Sequence, residues 1–168
     1  MEQKRTLSLL VDNTPGLLSR VAGLFSRRGY NIETITAGVT ADPRYTRMTV
    51  VLYCSDEMIL EQIKKQLAKL VDVRDIKELK PDERVRRELM LVKIRVNENE
   101  RRNVIAISDV FRGRIVAVGQ ESLIVELTGN QSKLEGFLNL VQGYEILELA
   151  RTGVTGLSRG VHDVRYLD

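Results

Sequence analysis

Apolar and polar residues alternate from Thr6 to Val11, so Leu7, Leu9 and Val11 fall on one face, as a half-buried strand requires. The period then lengthens. Leu17, Leu18, Val21, Leu24 and Phe25 form one helical stripe reaching Arg28, and Gly29 stands where a glycine ends a helix. Ile35, Ala37 and Val39 alternate with Thr34 and Thr36, Ala41-Asp42-Pro43-Arg44 reads as a turn, and Thr46 to Cys54 completes a hairpin. Ser55 or Asp56 is expected to cap a second helix. Its buried stripe is Ile59, Ile63, Leu67 and Leu70, with Glu61, Lys64, Lys65 and Lys69 toward water. Val71 to Leu79 follows as a fourth strand, which makes the order βαββαβ, the split βαβ of ferredoxin-like folds.

Lys80 to Glu88 is charged and broken by Pro81, and its start reads as a linker. The pattern then begins again. Met90, Val92, Ile94 and Val96 mark a strand, Val104, Ile107, Ser108 and Phe111 a helix, Arg114–Val118 and Leu123–Thr128 two short strands. Leu134, Phe137, Leu138 and Val141 fall at core-facing helical spacing, Gly143 ends that helix, and Tyr144 to Arg151 is a last strand. The predicted class is α+β: two tandem ferredoxin-like βαββαβ sandwiches, residues 1–80 and 81–168. A four-stranded sheet this small leaves an edge or face needing cover, which oligomerisation supplies most simply. Thr152 to Asp168, with Gly153, Gly156 and Gly160, is expected to be an irregular tail; Arg151 and Arg159 are its candidate docking residues.

The stretch Asp12-Asn13-Thr14-Pro15-Gly16-Leu17-Leu18 joins the first strand to the first helix. Asn13 or Thr14 is the expected N-cap, with Pro15 in the first turn, where a missing N–H costs nothing. Gly16 has no Cβ, so a ligand can approach the backbone. The unpaired N–H groups at the positive end of the helix suit a carboxylate or phosphate.

Composition removes other classes. The 168 residues are 43% apolar and 29% charged with a net charge of +3, a globular balance that permits but does not demand an acidic partner. Trp is absent and no helix-turn-helix is readable, which argues against nucleic acid. No apolar run approaches ~20 residues and the charged start leads straight into a strand, so neither a membrane span nor a signal peptide is expected. Cys54, the only cysteine, reads as a packed thiol, consistent with the reducing cytoplasm. His162 is the only histidine and has no triad or zinc partners; no phosphate-binding glycine motif follows a strand. Asp72 and Asp75 read as surface charges, and Arg84, Arg86 and Arg87 as a wet strand edge or a contact for an acidic surface. With no reactive constellation, neither a catalytic nor a metal site is expected, and the chain reads as a binding or regulatory module.

The first half, with Asn13-x-Pro15-Gly16-Leu17-Leu18 at its first turn and Gly29-Tyr30-Asn31-Ile32-Glu33 opening its second strand, resembles the ACT domain, an amino-acid-sensing module. Longer runs extend the likeness: Pro15 to Val21, Leu24 to Glu33, Leu60 to Leu67, Arg87 to Lys93, Phe111-Arg112-Gly113 and Ala150-Arg151-Thr152-Gly153. Together they look like the regulatory (small) subunit family of acetohydroxyacid synthase, also called acetolactate synthase. The resemblance implies a cytoplasmic, non-catalytic chain that needs no cofactor itself. Its partner is a separate catalytic subunit holding thiamine diphosphate, Mg²⁺ and FAD. It would raise that partner's activity and confer feedback inhibition by valine, with leucine or isoleucine also possible effectors. It also implies a homodimer paired through its ACT sheets, with the effector at the seam. The carboxylate would meet the N–H groups of Gly16, Leu17 and Leu18 beside Pro15, and Asn13 would accept from the ammonium. Asn31 and Ile32 of the neighbouring copy would close the site. Leu17, Leu18 and Ile32 would form the apolar pocket, while the second domain would contact the catalytic subunit. The competing reading is a free-standing amino-acid-binding regulator of gene expression, which a nucleic-acid-binding surface would favour.

Overall fold

The computed structural model describes residues 3–161, and His162 lies outside them. In order the chain forms β1 (Gln3–Asp12), α1 (Leu17–Arg28), β2 (Ile32–Val39), β3 (Tyr45–Cys54), α2 (Glu57–Ala68) and β4 (Val73–Glu78). A 3₁₀ turn (Pro81–Glu83) leads to β5 (Arg84–Arg95), α3 (Glu98–Val110), β6 (Arg114–Val118), β7 (Ser122–Gly129), α4 (Gln131–Leu140), β8 (Ile146–Arg151) and β9 (Thr155–Ser158). The α+β expectation holds, with two βαββαβ sets. The molecule divides into two compact units, one of residues 3–85 with 154–161, the other Arg86–Gly153. Among the described residues, no helix is long and apolar enough to cross a membrane.

In the first unit the antiparallel sheet runs β2-β3-β1-β4, so β2 and β4 are its edges. Leu7, Leu9 and Val11 of β1 share a face with Met48, Val50 and Leu52 of β3, and α1 and α2 cover it with Val21, Leu24, Phe25, Leu60, Ile63 and Leu67. Period 2 meets period 3.6 here, which is why the sequence pattern was readable. Asp56 caps α2 by accepting from the Ile59 N–H, and Gly29 ends α1 at φ 67°. Cys54 is a buried free thiol.

The other face of this sheet is also buried, and it mixes polar side chains with Leu10 and Val51. Thr6, Ser8 and Thr49 are each at most 2% exposed. Such hydroxyls need partners. Arg84 Nη1 donates to Thr6 Oγ1 at 3.3 Å, Arg47 Nη1 to Ser8 Oγ at 2.8 Å, and Thr36 Oγ1 to the Val154 carbonyl at 2.9 Å. Arg84, expected on a wet edge, is thus spent inside the fold. The expected irregular tail is also corrected: β9 pairs with β5, and the Arg159 N–H donates to the Glu83 carbonyl at 2.7 Å. Glycine-rich composition hid a strand stabilised by backbone partners more than seventy residues away in sequence.

In the second unit the sheet runs β6-β7-β5-β8. Met90, Val92 and Ile94 pack with Leu123, Val125 and Leu127 beneath α3 and α4. Asn97 and Glu100 form a reciprocal capping box at the start of α3, which begins at Glu98, one residue before the Asn99 start that the apolar stripe predicts. Arg151, a candidate docking residue, instead grips the buried Glu88 carboxylate through two 2.9 Å hydrogen bonds.

Candidate functional site

The turn from Asp12 to Gly16 is held from both flanks. On one side, the Asn13 N–H donates to the Arg44 carbonyl at 2.8 Å and Asn13 Nδ2 to the Pro43 carbonyl at 3.1 Å. That second bond fixes the amide so that Oδ1 faces away with no described donor on it. On the other side stands Asp72, only 6% exposed. Its carbonyl accepts the Asp12 N–H at 2.8 Å, and its carboxylate accepts Thr14 Oγ1 at 2.8 Å and Arg20 Nε at 2.7 Å. Asp12 in turn pairs with Arg74 through contacts of 2.7 and 2.6 Å.

The N-cap differs from the sequence expectation. It is Gly16, at φ 78°, with no side-chain cap; Thr14 and Pro15 precede the helix. Thr14 would be the better cap by local rules, but its hydroxyl is turned to Asp72, to which it donates, and its oxygen accepts from Arg20 Nη2 at 3.3 Å. Asp72, expected on the surface, is therefore a buried structural partner of this turn.

This arrangement leaves amide donors bare. The Leu17 N–H reaches the Thr14 carbonyl only at 3.4 Å, and among the described hydrogen bonds none takes up the N–H of Gly16, Leu18 or Ser19. The first turn of α1 carries no acidic side chain to neutralise the helix end. Unpaired amides at an uncompensated positive dipole attract an anion.

Beside the amides lies an open groove of ≈ 660 Å³, lined by Asn13, Thr14, Gly16, Leu17, Leu18, Ser19 and Ala22, by Ala37 to Val39 of β2, and by Thr46. No lining side chain is charged. Leu18 is 53% and Val39 60% exposed, so two apolar side chains stand unpacked at its walls. Leu17 contributes backbone here, since its side chain is in the core. The groove thus gathers Asn13, Gly16, Leu17 and Leu18 of the residues expected to bind. Pro15 lies in the turn but does not line it. Asn31 and Ile32 stand at the opposite end of β2; the Asn31 carbonyl accepts from the Tyr53 N–H, and Ile32 packs against the core. Sequence reading missed Ala37, Gly38 and Val39 as lining residues, and missed Arg20 and Asp72, which come together across 52 positions.

Arg20 foremost, and then Thr14, hold the Asp72 carboxyl below the usual carboxylate range. A folded value below the unfolded one stabilises fully above the unfolded value and loses that contribution as pH falls through the folded one. The amide resonances of Thr14 and Gly16 are therefore expected to stay in place from neutral pH to pH ~5 and to move together below pH ~4. Movement above pH ~5 would contradict an ionised Asp72 as the tie.

Residues 7–75 match the family model of the acetolactate synthase (AHAS) small-subunit-like ACT domain, and residues 87–160 match that of the small subunit of acetolactate synthase. The chain belongs to the acetolactate synthase small-subunit family. It is 48% identical to the acetolactate synthase isozyme 3 small subunit of Escherichia coli K12, over 94% of this chain and 96% of that one. It is 45% identical to the acetolactate synthase small subunit of Mycobacterium leprae, over 92% and 91% respectively. The crystal structure of the small subunit from Thermotoga maritima superimposes with a TM-score of 0.88 at 38% identity, covering 95% of this chain and 99% of that one.

Proposed function

We propose that this chain is the regulatory subunit of a cytoplasmic acetolactate synthase. It activates a separate catalytic subunit and makes it responsive to a branched-chain amino acid, valine first, in valine, leucine and isoleucine biosynthesis. Thiamine diphosphate, Mg²⁺ and FAD belong to that catalytic subunit. The observation carrying this reading is the uncharged groove that joins bare amides to an apolar wall.

A free amino acid matches the groove group by group. Its carboxylate suits the N–H groups of Gly16 and Leu18. Its ammonium suits Asn13 Oδ1, the acceptor left over after Pro43 is served. Its side chain suits Leu18 and Val39. An apolar wall discriminates by only about 1–3 kcal/mol per methylene, so alanine should bind weakly and leucine less differently from valine.

Asn31 and Ile32 enter if two copies pair through their exposed β2 edges. Antiparallel two-fold pairing centred on Ile35 sets Ile32 of one copy opposite Gly38 of the other, and Asn31 opposite Val39. A Cβ on Gly38 would meet nothing within 4 Å in the single chain, so that position has room for a neighbour. Effector binding and subunit packing then form one equilibrium, which lets a small ligand act on a distant catalytic chain. The second unit, Arg86–Gly153, is assigned to contact with that chain.

The test is reconstitution. The chain alone should show no acetolactate synthesis. Added to its catalytic subunit, it should co-purify, raise the rate and render it valine-sensitive. A catalytic subunit whose rate and valine response are unaffected would refute the assignment.

A further inference from the structure

We propose that Asp72, with Arg20, is a positioning residue for effector binding: it diverts the Thr14 hydroxyl and so keeps the helix-start amides free. The proposal rests on the groove being the effector site.

The local sequence favours a different turn. Thr14 is a good N-cap and Pro15 is suited to the first helical position. In that self-capped form the Thr14 hydroxyl would accept from the N–H of Gly16 or Leu17, the donors two and three residues on. The Thr14 and Pro15 carbonyls would accept from Leu18 and Ser19, four residues on. Every amide needed for a ligand would be silenced by the chain itself.

The observed turn withdraws each of those acceptors. The Thr14 hydroxyl donates to Asp72 Oδ1 at 2.8 Å and accepts Arg20 Nη2 at 3.3 Å. The Pro15 carbonyl is engaged by Arg20 Nη1 at 3.2 Å. The Thr14 carbonyl is left with the long contact to the Leu17 N–H, and none of the described bonds takes Leu18 or Ser19. Arg20 can do this because a helical side chain leans toward the N-terminus, back over the preceding turn. Its guanidinium sits so near Gly16 that a Cβ there would lie 3.0 Å from Nη1. Asp72 anchors Arg20 through Nε and fixes the strand end through the Asp12 N–H, so one residue of the α2–β4 loop governs all three withdrawals. Asp72 touches no groove space. Its effect passes through the turn.

This gives a prediction that a merely structural role does not share. Removing Asp72 frees the Thr14 hydroxyl to cap the helix and compete with the ligand; removing that hydroxyl as well takes the competitor away. Valine binding to the full chain is measured by calorimetry for the wild type, Asp72→Ala, Arg20→Met and Asp72→Ala combined with Thr14→Val. Thermal midpoints and activation of the catalytic subunit serve as readouts of the fold. Asp72→Ala and Arg20→Met should each weaken valine at least tenfold while activation persists. The Asp72→Ala/Thr14→Val double variant should regain at least threefold. Wild-type affinity in either single variant, or a double variant no tighter than Asp72→Ala, overturns the proposal. If Asp72→Ala does not fold, Arg20→Met alone decides: a folded, activating Arg20→Met chain with wild-type valine affinity overturns the proposal. A wild-type chain that binds none of valine, leucine and isoleucine refutes the effector site itself, a separate outcome.

Discussion

Gly16→Asp is expected to abolish inhibition by the branched-chain amino acid while leaving activation of the catalytic subunit in place. Three effects converge at this residue. Its φ of 78° is a conformation that costs an L side chain about 1 kcal/mol or more. The new Cβ would lie 3.0 Å from Arg20 Nη1, so the guanidinium that shapes the turn must shift. The added carboxylate would sit at the helix start and take the amides for itself, as an N-terminal Asp does. A second carboxylate about 4 Å away is then opposed by about 1 kcal/mol in water and about 4 at the effective dielectric of a protein surface. Even the lower range, added to the loss of donors, removes at least about tenfold in affinity. Gly16 is exposed and no core side chain leans on it, so the fold should persist. An inhibition titration of the reconstituted enzyme, with valine calorimetry on the full chain, checks both halves. Unchanged inhibition would remove the turn from the site.

Phe137→Ala is expected to have the largest effect on stability, with the opposite functional signature. Phe137 is fully buried in the second unit and meets Phe111 edge to face, with ring centroids 5.8 Å apart at 85°. The neighbouring Gly136 admits that ring, since a Cβ there would lie 3.1 Å from Phe111 Cε1. Truncating a buried phenyl costs about 3–5 kcal/mol, a large share of what a unit this small possesses. The second unit should melt early, with loss of activation. The groove belongs to the first unit, so valine binding should remain measurable. Calorimetric melting, valine titration and the activation assay on one preparation separate these outcomes. Full activation at a wild-type melting temperature would contradict the packing described for Phe137, and a lost valine response with the second unit intact would contradict the division of labour.

Much of this was legible in the residues because burial imposes a period. Leu7, Leu9 and Val11 marked one face of a strand, though β1 proved to be buried on both faces, and Val21, Leu24 and Phe25 marked a helix face. Gly29 and Asp56 ended and began helices by local chemistry, which a short window of sequence contains. The turn at Gly16 was recognisable as a strand-to-helix turn for the same reason. Its detailed form was not. Local rules put the cap at Asn13 or Thr14, and tertiary structure overruled them through Asp72, which lies 58 residues beyond Thr14. No spacing rule connects the two. Asp72 read as a surface charge because nothing near it in sequence hints at Arg20, just as Glu88 gave no sign of Arg151, 63 residues away. β9 was hidden for a related reason: a four-residue strand in glycine-rich sequence is specified by the strand it joins more than by its own pattern. Ala37, Gly38 and Val39 were read correctly as strand, and their place in the groove follows only once β2 is known to be the sheet edge.

The most direct measurement is a crystal structure of the full chain grown with valine. It should show the carboxylate on the amides of Gly16 and Leu18, the ammonium at Asn13 Oδ1, and Asn31 and Ile32 of a second copy across the seam, with Thr14 still bound to Asp72. Valine found elsewhere, or a groove filled by the protein's own side chains with Thr14 capping α1, would contradict the account.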